Sequence, residues 1–383
     1  MYPWLLPEYL EDILPPAAGQ IEHARRTALD LFAAQGYELV IPPLLEYLES
    51  LLTGTGRDME LDTFKLVDQL NGRLMGIRAD ITPQAARIDA HLLNRQGVTR
   101  LCYAGPVVHT RPGNLQTSRE PLQVGAELFG HAGLEADLEV QHMLLKTLKA
   151  LGVDAVHLDI GHVGIFRALI NAAQPSAEQE AELFRALQAK DVPTIADLTR
   201  DMDASVRLAL LALPTLYGQR EALARAAQVL PKLPEIGRAL DTLETLADDL
   251  AASGAELYFD LAELRGYHYH SGVVFAAYAQ GSAYAVAQGG RYDNVGKVFG
   301  RARSATGFSM DLRALAPYLK PLAQARGILA PYQADSALAA KIDALRTAGE
   351  IVIVELPGQA AHRAEAKCDR RLVFKNGAWE IES

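Results

Sequence analysis

LCYAGPVVHTRPGNLQTSREPLQVGAELFG, residues 101–130, reads as two strands joined by a long polar loop. A strand-like run from Arg100 to Ala104 breaks at Gly105-Pro106, and a second run follows from Val107 to Thr110. The chain then passes through a loop rich in Gly, Asn, Ser and Arg and returns from Leu122 to Phe129. Side chains alternate along an extended segment, so Gln123, Gly125 and Glu127 share one face and Val124, Ala126 and Leu128 the other. The first face is polar and the second belongs to a core. Such a hairpin either hangs over a ligand site or is an ordinary half-solvated strand, and the stretch by itself fits both.

Composition narrows the setting. The chain has 383 residues, enough for one large domain and a smaller one. Apolar residues make up 49% and charged residues 22%, the balance of a folded globular protein. A net charge of -10 argues against a large nucleic-acid footprint. Two distant cysteines, Cys102 and Cys368, point to a reducing compartment, and a cytoplasmic location is expected. The N-terminus has no basic start and does not read as a signal peptide, and no apolar run is long enough to span a membrane.

Outward from the hairpin, apolar residues at Ile21, Ala24, Ala28, Leu31 and Phe32 predict a helix over 20–35, stopped by Gly36. Leu39–Ile41 predicts a short strand that Pro42-Pro43 confines to an edge or interface. The Gly-rich turn from Thr53 to Asp58 lacks the Lys-Ser/Thr ending of a phosphate loop. Asn71-Gly72 predicts a hairpin between Phe64–Val67 and Leu74–Arg78. In RADITPQAAR, residues 78–87, Thr82 fits an N-cap with Pro83 at the first helical position. Asp80 either meets a ligand amine or sits in the positive field of that helix start. Arg78 and Arg87 read as surface charges or site-rim groups.

A helix over 135–151 and a strand over 156–160 follow, with Gly161-His162 as a turn and His162 structural or solvated. Residues 166–252 carry helical patterning broken near prolines, and read as a helical insertion. Strands resume at Glu256–Leu261, Val273–Tyr278 and Tyr284–Gln288, with paired glycines in GGRYDNV, and Gly307–Leu315 leads into a helix. Beyond Pro321 a small unit carries a helix over 334–348 and strands at 351–355 and 370–374. The histidines of RGYHYHSG, His268 and His270, alternate as if on one face of a strand. A zinc site needs three or four placed ligands, and His109, Cys102 and His131 complete no such spacing. No metal and no cofactor is expected, and no nucleophile elbow is present.

YELVIPPLLEY, RADITPQAAR, the 105–130 hairpin, RGYHYHSG, GGRYDNV and TGFSMDLRAL occur in the order found in histidyl-tRNA synthetases, and residues 8–318 resemble that class II family. The resemblance implies an α+β fold with a mixed, mainly antiparallel sheet of roughly six or seven strands flanked by helices. It implies a class II synthetase-like domain over 1–320 and a small C-terminal α/β unit over 321–383, with dimerisation partly through the 37–47 segment. By position, Asp80 matches the acid that meets a ligand ammonium, and Gln123 and Glu127 match the amino-group and imidazole readers. Arg265 matches the arginine near the carboxylate and Tyr269 a pocket tyrosine. His270 stands where a second tyrosine usually lies, His268 replaces an acid, and Arg119 is kept. These residues form a candidate histidine-binding set: Asp80, Gln123, Glu127, Arg265, Tyr269 and His270.

The phosphate side departs from the family. Its arginine and glutamate of motif 2 correspond here to His109 and Arg111, and the glycine, glutamate and arginine ending motif 3 to Asp311, Arg313 and Ala314. Neither neutral His109 nor Ala314 supplies a guanidinium fork. The tail after Pro321 is short and lacks a basic or aromatic stripe. Together these losses resemble the regulatory subunits of ATP phosphoribosyltransferase, synthetase-like proteins without aminoacylation activity. That resemblance implies a short-form catalytic subunit as partner in a hetero-octamer containing a homodimer of this chain. It also implies L-histidine feedback on the first step of histidine biosynthesis. The alternatives are a divergent histidine-activating ligase and a synthetase-like RNA-binding protein.

Overall fold

Thr99–Pro106 pairs antiparallel with Leu122–Phe129 from Thr99↔Phe129 to Pro106↔Leu122. The computed structural model describes residues 4–53, 57–113, 118–322 and 326–382. The first strand runs through Gly105 and Pro106 instead of breaking there, because a proline at a strand's last position leaves no interior ladder bond unmade. Val107–Thr110 forms no strand. It makes one bridge, His109↔Thr63, and its four backbone N–H groups donate to Pro121 O, Arg78 O, Arg119 O and Asp62 O in turn. The Gly-rich turn expected at 53–58 falls partly outside the described residues, as do residues 114–117 of the hairpin loop.

The chain divides into two units, Met1–Lys320 and Pro321–Ser383. The larger holds a nine-stranded sheet, wider than the resemblance implies. Its order is Glu38–Leu39, Thr99–Pro106, Leu122–Phe129, Ala305–Asp311, Ala287–Arg291, Val273–Ala279, Val156–His162, Glu256–Asp260, Tyr217–Gly218. Parallel pairing joins Glu38–Leu39 to Thr99–Pro106 and Val156–His162 to Glu256–Asp260; the other neighbours are antiparallel. The extra width comes partly from the insertion. Its helices run from Val163–Ala173 to Pro234–Leu250, and Tyr217–Gly218 leaves them to pair with the end of Glu256–Asp260.

Both faces of the central strands are buried, so the half-solvated reading fails. On one face Val124, Ala126 and Leu128 pack in the main core with Ile21, Ala28 and Phe32 of Ala17–Ala34 and with Val140, Met143 and Leu144 of Leu134–Ala150. On the other, Leu101 and Tyr103 join Ile81, Ala85, Ala86 and Tyr292 in a second core. Gln123 is 9% and Glu127 1% exposed. Polar side chains on this face therefore need partners inside the protein.

Several local expectations change. The helix of RADITPQAAR spans Thr82–Arg87, so Thr82 is its first residue and not its cap. Asp80, two residues ahead, forms the Asx-type turn instead, its Oδ1 accepting the Thr82 N–H at 2.9 Å. Arg78 is no surface group: it is 5% exposed and donates to the carbonyls of Pro106 at 2.9 Å and Pro42 at 2.8 Å. Val156–His162 continues through the expected turn, and His162 becomes the N-cap of the next helix. The glycines of GGRYDNV lie inside the strand Ala287–Arg291, and Gly307 lies in the strand Ala305–Asp311. Gly289 sits against Gly307 O and the Phe275 ring, so an added Cβ there has no room.

The smaller unit has a four-stranded sheet in the order Val352–Glu355, Gly327–Pro331, Cys368–Lys375, Ala378–Glu382. Gly327–Pro331 and Ala378–Glu382 add to the two strands expected. Its helix, Ser336–Thr347, brings Leu338 and Ile342 onto Ile328, Ala330, Leu372 and Trp379 as a separate core. Among the described residues no helix is long and apolar enough to cross a membrane.

Candidate functional site

The second core ends at a cavity of about 480 Å3. Asp80, Glu127, Arg265, Tyr269 and His270 all line it. Gly289, Gly290 and Gly307 from two neighbouring strands contribute backbone to its wall, which leaves space where side chains would otherwise stand. Gln123 lines an adjoining chamber of about 300 Å3. Asp80, Asp62, Gln288 and Ser309 line both chambers. The six candidate residues thus come from three separate stretches to one place.

Glu127 is held by phenols. Tyr103 Oη donates to its Oε1 at 2.8 Å, and Tyr292 Oη donates to its Oε2. Thr82 Oγ1 lies 2.9 Å from the Tyr103 hydroxyl and extends the chain. Burial pushes the Glu127 carboxyl up to about 8; the two phenol bonds oppose that shift and the Asp80 charge adds to it. The three tyrosines nearby, Tyr103, Tyr269 and Tyr292, are pushed well above the usual phenol range, first by burial and then by the Glu127 charge. Tyr269 stacks on Tyr292 with ring centroids 5.0 Å apart, and its buried hydroxyl has no hydrogen-bond partner. A buried donor left free beside a cavity is suited to a ligand atom.

Gln123 is fixed at both ends. Its Oε1 accepts the Ile81 N–H at 2.9 Å and its Nε2 donates to Asp80 Oδ1 at 2.7 Å. Asp80 Oδ1 therefore takes two protein donors, and the carboxylate is oriented before any ligand arrives. His270 is neutral: burial pushes its imidazole down to about 4, and its Nδ1 lies 3.2 Å from Arg291 O. Arg265 is at the mouth, its side chain 46% exposed, bonded to Glu263 at 3.2 Å and to Tyr278 Oη at 3.3 Å.

His268 and His270 do not share a face, because residues 265–270 form a turn, with Gly266 at φ 64°, and not a strand. His268 is exposed beside the Phe184 and Tyr267 rings, while His270 turns in against Gly266 and Gly290. No group of three His, Cys, Asp or Glu among the described residues is placed to hold a metal ion.

The residues that sequence reasoning missed are the partners of Glu127. Tyr103 stands directly opposite Gly125, and the absent side chain of Gly125 makes room for its ring. That pairing of a tyrosine with a glycine across a hairpin was the available signal. Tyr292 sits in GGRYDNV itself, but its distance from Glu127 in sequence hides the bond.

The smaller chamber contains His109 and Asp311. His109 Nε2 meets Ala79 O at 2.9 Å, and Asp311 Oδ1 accepts the N–H groups of Leu122 and Arg313 at 3.0 and 2.9 Å. Arg313 donates to Glu120 at 2.9 Å and does not line the chamber. Arg119 holds the loop, with its Nε on His109 O at 3.1 Å. Arg111 is exposed.

The family model described as histidyl-tRNA synthetase matches residues 9–315, and the model for the C-terminal domain of ATP phosphoribosyltransferase subunit HisZ matches residues 325–382. The ATP phosphoribosyltransferase regulatory subunit of Ralstonia pickettii (strain 12J) is 57% identical over 379 residues, which is 99% of this chain and 97% of the relative. The protein of that name from Burkholderia cenocepacia (strain HI2424) is 56% identical over 382 residues and 100% of both chains. A Bacillus halodurans C structure described as an ATP phosphoribosyltransferase regulatory subunit/histidyl-tRNA synthetase superposes with a TM-score of 0.83 at 25% identity, covering 95% of this chain and 97% of that one. The histidyl-tRNA synthetase of Nostoc sp. PCC 7120, at 18% identity and a TM-score of 0.76, shares the fold over 97% of this chain and 91% of its own. With a synthetase-like body, a matching C-terminal domain and full-length relatives at this identity, the chain belongs to the family of ATP phosphoribosyltransferase regulatory subunits.

Proposed function

We propose that this chain is a non-catalytic regulatory subunit that activates a short-form ATP phosphoribosyltransferase catalytic subunit in the cytoplasm. It makes the assembly responsive to L-histidine. The observation that carries the non-catalytic reading is the lining of the smaller chamber: among the described residues it holds Asp62, Asp80, Asp311 and His109 but no lysine or arginine. A triphosphate needs fixed cations as its charge shifts in adenylate formation, and each lost donor of that kind costs roughly a hundredfold or more in rate. Arg313 does not replace them, being paired with Glu120.

In this reading the larger cavity takes L-histidine. Asp80, oriented by Gln123, meets the ammonium, and Glu127 and Tyr269 meet the imidazole ring. Ligand control of a partner's activity requires that histidine bind two states of the assembly unequally. The exposed edge strand and its continuation, with Leu39 52% and Ile41 84% exposed, support self-association of two copies through that segment within a larger hetero-octamer.

The test is to mix the chain with short-form catalytic subunits from close relatives' hosts and follow product formation and particle mass. Stimulation, a heavier complex by light scattering, and inhibition on adding L-histidine are expected. A partner panel that shows neither stimulation nor a complex would overturn the proposal.

A further inference from the structure

The charges around the two chambers are lopsided. Among the described residues Asp62, Asp80, Glu263 and Asp311 line them, against the single guanidinium of Arg265. That guanidinium is already occupied. It is bonded to Glu263 and to the Tyr278 hydroxyl, and it stands at the mouth with nearly half its surface in water. An exposed cation that already has a carboxylate partner contributes little to holding a second one. The ammonium end of the ligand faces a different environment. Asp80 is pinned by two donors on one oxygen, and among the described residues its other oxygen, Oδ2, has no protein partner. The ring end has Glu127 and the unpartnered Tyr269 hydroxyl.

We propose that this cavity reads the imidazole ring and the primary ammonium of its ligand and not the carboxylate, so that it accepts imidazole-bearing primary amines as a class. The inference rests on the reading of the cavity as a histidine site and extends it. Removing the ligand's carboxylate relieves repulsion from Asp80, Asp62 and Glu263 and gives up only the shared, solvent-screened contact to Arg265. Removing the ammonium instead leaves the oriented Asp80 facing an empty, partly desolvated position.

Calorimetric titration of the full chain, alone and in complex with its catalytic partner, tests this with three probes. They are L-histidine, histamine, which lacks the carboxylate, and 3-(imidazol-4-yl)propanoate, which lacks the ammonium. Histamine is expected to bind within about tenfold of L-histidine, and the propanoate more than about tenfold weaker than histamine, where tenfold corresponds to roughly 1.4 kcal/mol. L-Histidine binding with histamine more than tenfold weaker overturns the inference and leaves the histidine reading intact. Propanoate binding within tenfold of histamine also overturns it. Histamine binding without L-histidine binding supports the inference and removes the histidine reading, and binding of neither amine overturns both. Arg265→Ala gives a second measure: whatever change it makes in L-histidine affinity should be matched, within about threefold, by its change in histamine affinity. A larger loss for L-histidine than for histamine would show that Arg265 does read the carboxylate.

Discussion

Glu127 is a carboxyl group in a setting that disfavours its charge. With an ordinary value of 4.5 and a folded value of about 8, the folded protein holds this proton more tightly than the unfolded chain does. The stability that the group contributes is therefore complete below pH 4.5 and is lost as pH rises to about 8. Glu127→Gln removes that dependence. Urea denaturation between those limits should show the variant gaining on the parent as pH rises, by at most about 1.4 kcal/mol for each step of one in pH. The same variant should weaken L-histidine binding by roughly 1–3 kcal/mol in calorimetry, since a buried carboxyl group that meets the ligand ring is gone. A parallel stability profile for parent and variant would remove Glu127 as the titrating group. Gly125→Ala is a separate probe. Its Cβ would lie 2.5 Å from the Tyr103 ring and 2.7 Å from Phe308 O, one of them backbone, so it should cost about 1–3 kcal/mol on unfolding.

At the scale of elements, His162 closes the strand Val156–His162 and opens the helix Val163–Ala173, its Nδ1 accepting the Gly164 N–H at 3.1 Å. Only the neutral ring accepts that bond. Burial pushes the imidazole down from 6.5 to about 4, so its contribution is present above pH 6.5 and is lost as pH falls to about 4. His162→Ala should cost about 0.5–2 kcal/mol at pH 7, and His162→Asn should restore most of it. Equal stability of the alanine variant and the parent at pH 7 would mean the cap carries no weight. Elements of this kind also mark how far sequence reading reaches. Helix Ala17–Ala34 was legible because its apolar period is strong and buries one clear face, and the strand Leu122–Phe129 because polar and apolar residues alternate along it, although both of its faces are buried. Ala287–Arg291 and Ala305–Asp311 were not, because glycines that normally interrupt strands sit inside them to make room for Phe275 and Glu127. The candidate site was legible where parity and motif spacing carry it, as at Gln123 and Glu127. It was hidden where contacts cross the sheet, as at Tyr103 and Tyr292, or where a turn replaces an expected strand, as at His268 and His270.

For the whole molecule, the two chambers make opposite predictions for the two halves of an adenylation reaction. L-Histidine should raise the melting temperature of the full chain, because a ligand that binds only the folded form stabilises it. ATP up to millimolar levels should not, given the acidic lining of the smaller chamber. Pyrophosphate exchange with L-histidine and ATP should stay at the level of a blank. Exchange above that level would require a phosphate clamp that the described residues do not place at the site.

The two-residue strand Tyr217–Gly218 is a small feature with a large reach. It occupies the last position of the sheet, against Glu256–Asp260. A chain shortened by excision of the helices around it would leave the outer edge at Phe259 and Asp260 bare, ready to zip onto another molecule. The insertion thus shields the sheet from unwanted partners, and a shortened chain should sediment as irregular aggregates even if its ligand cavity forms.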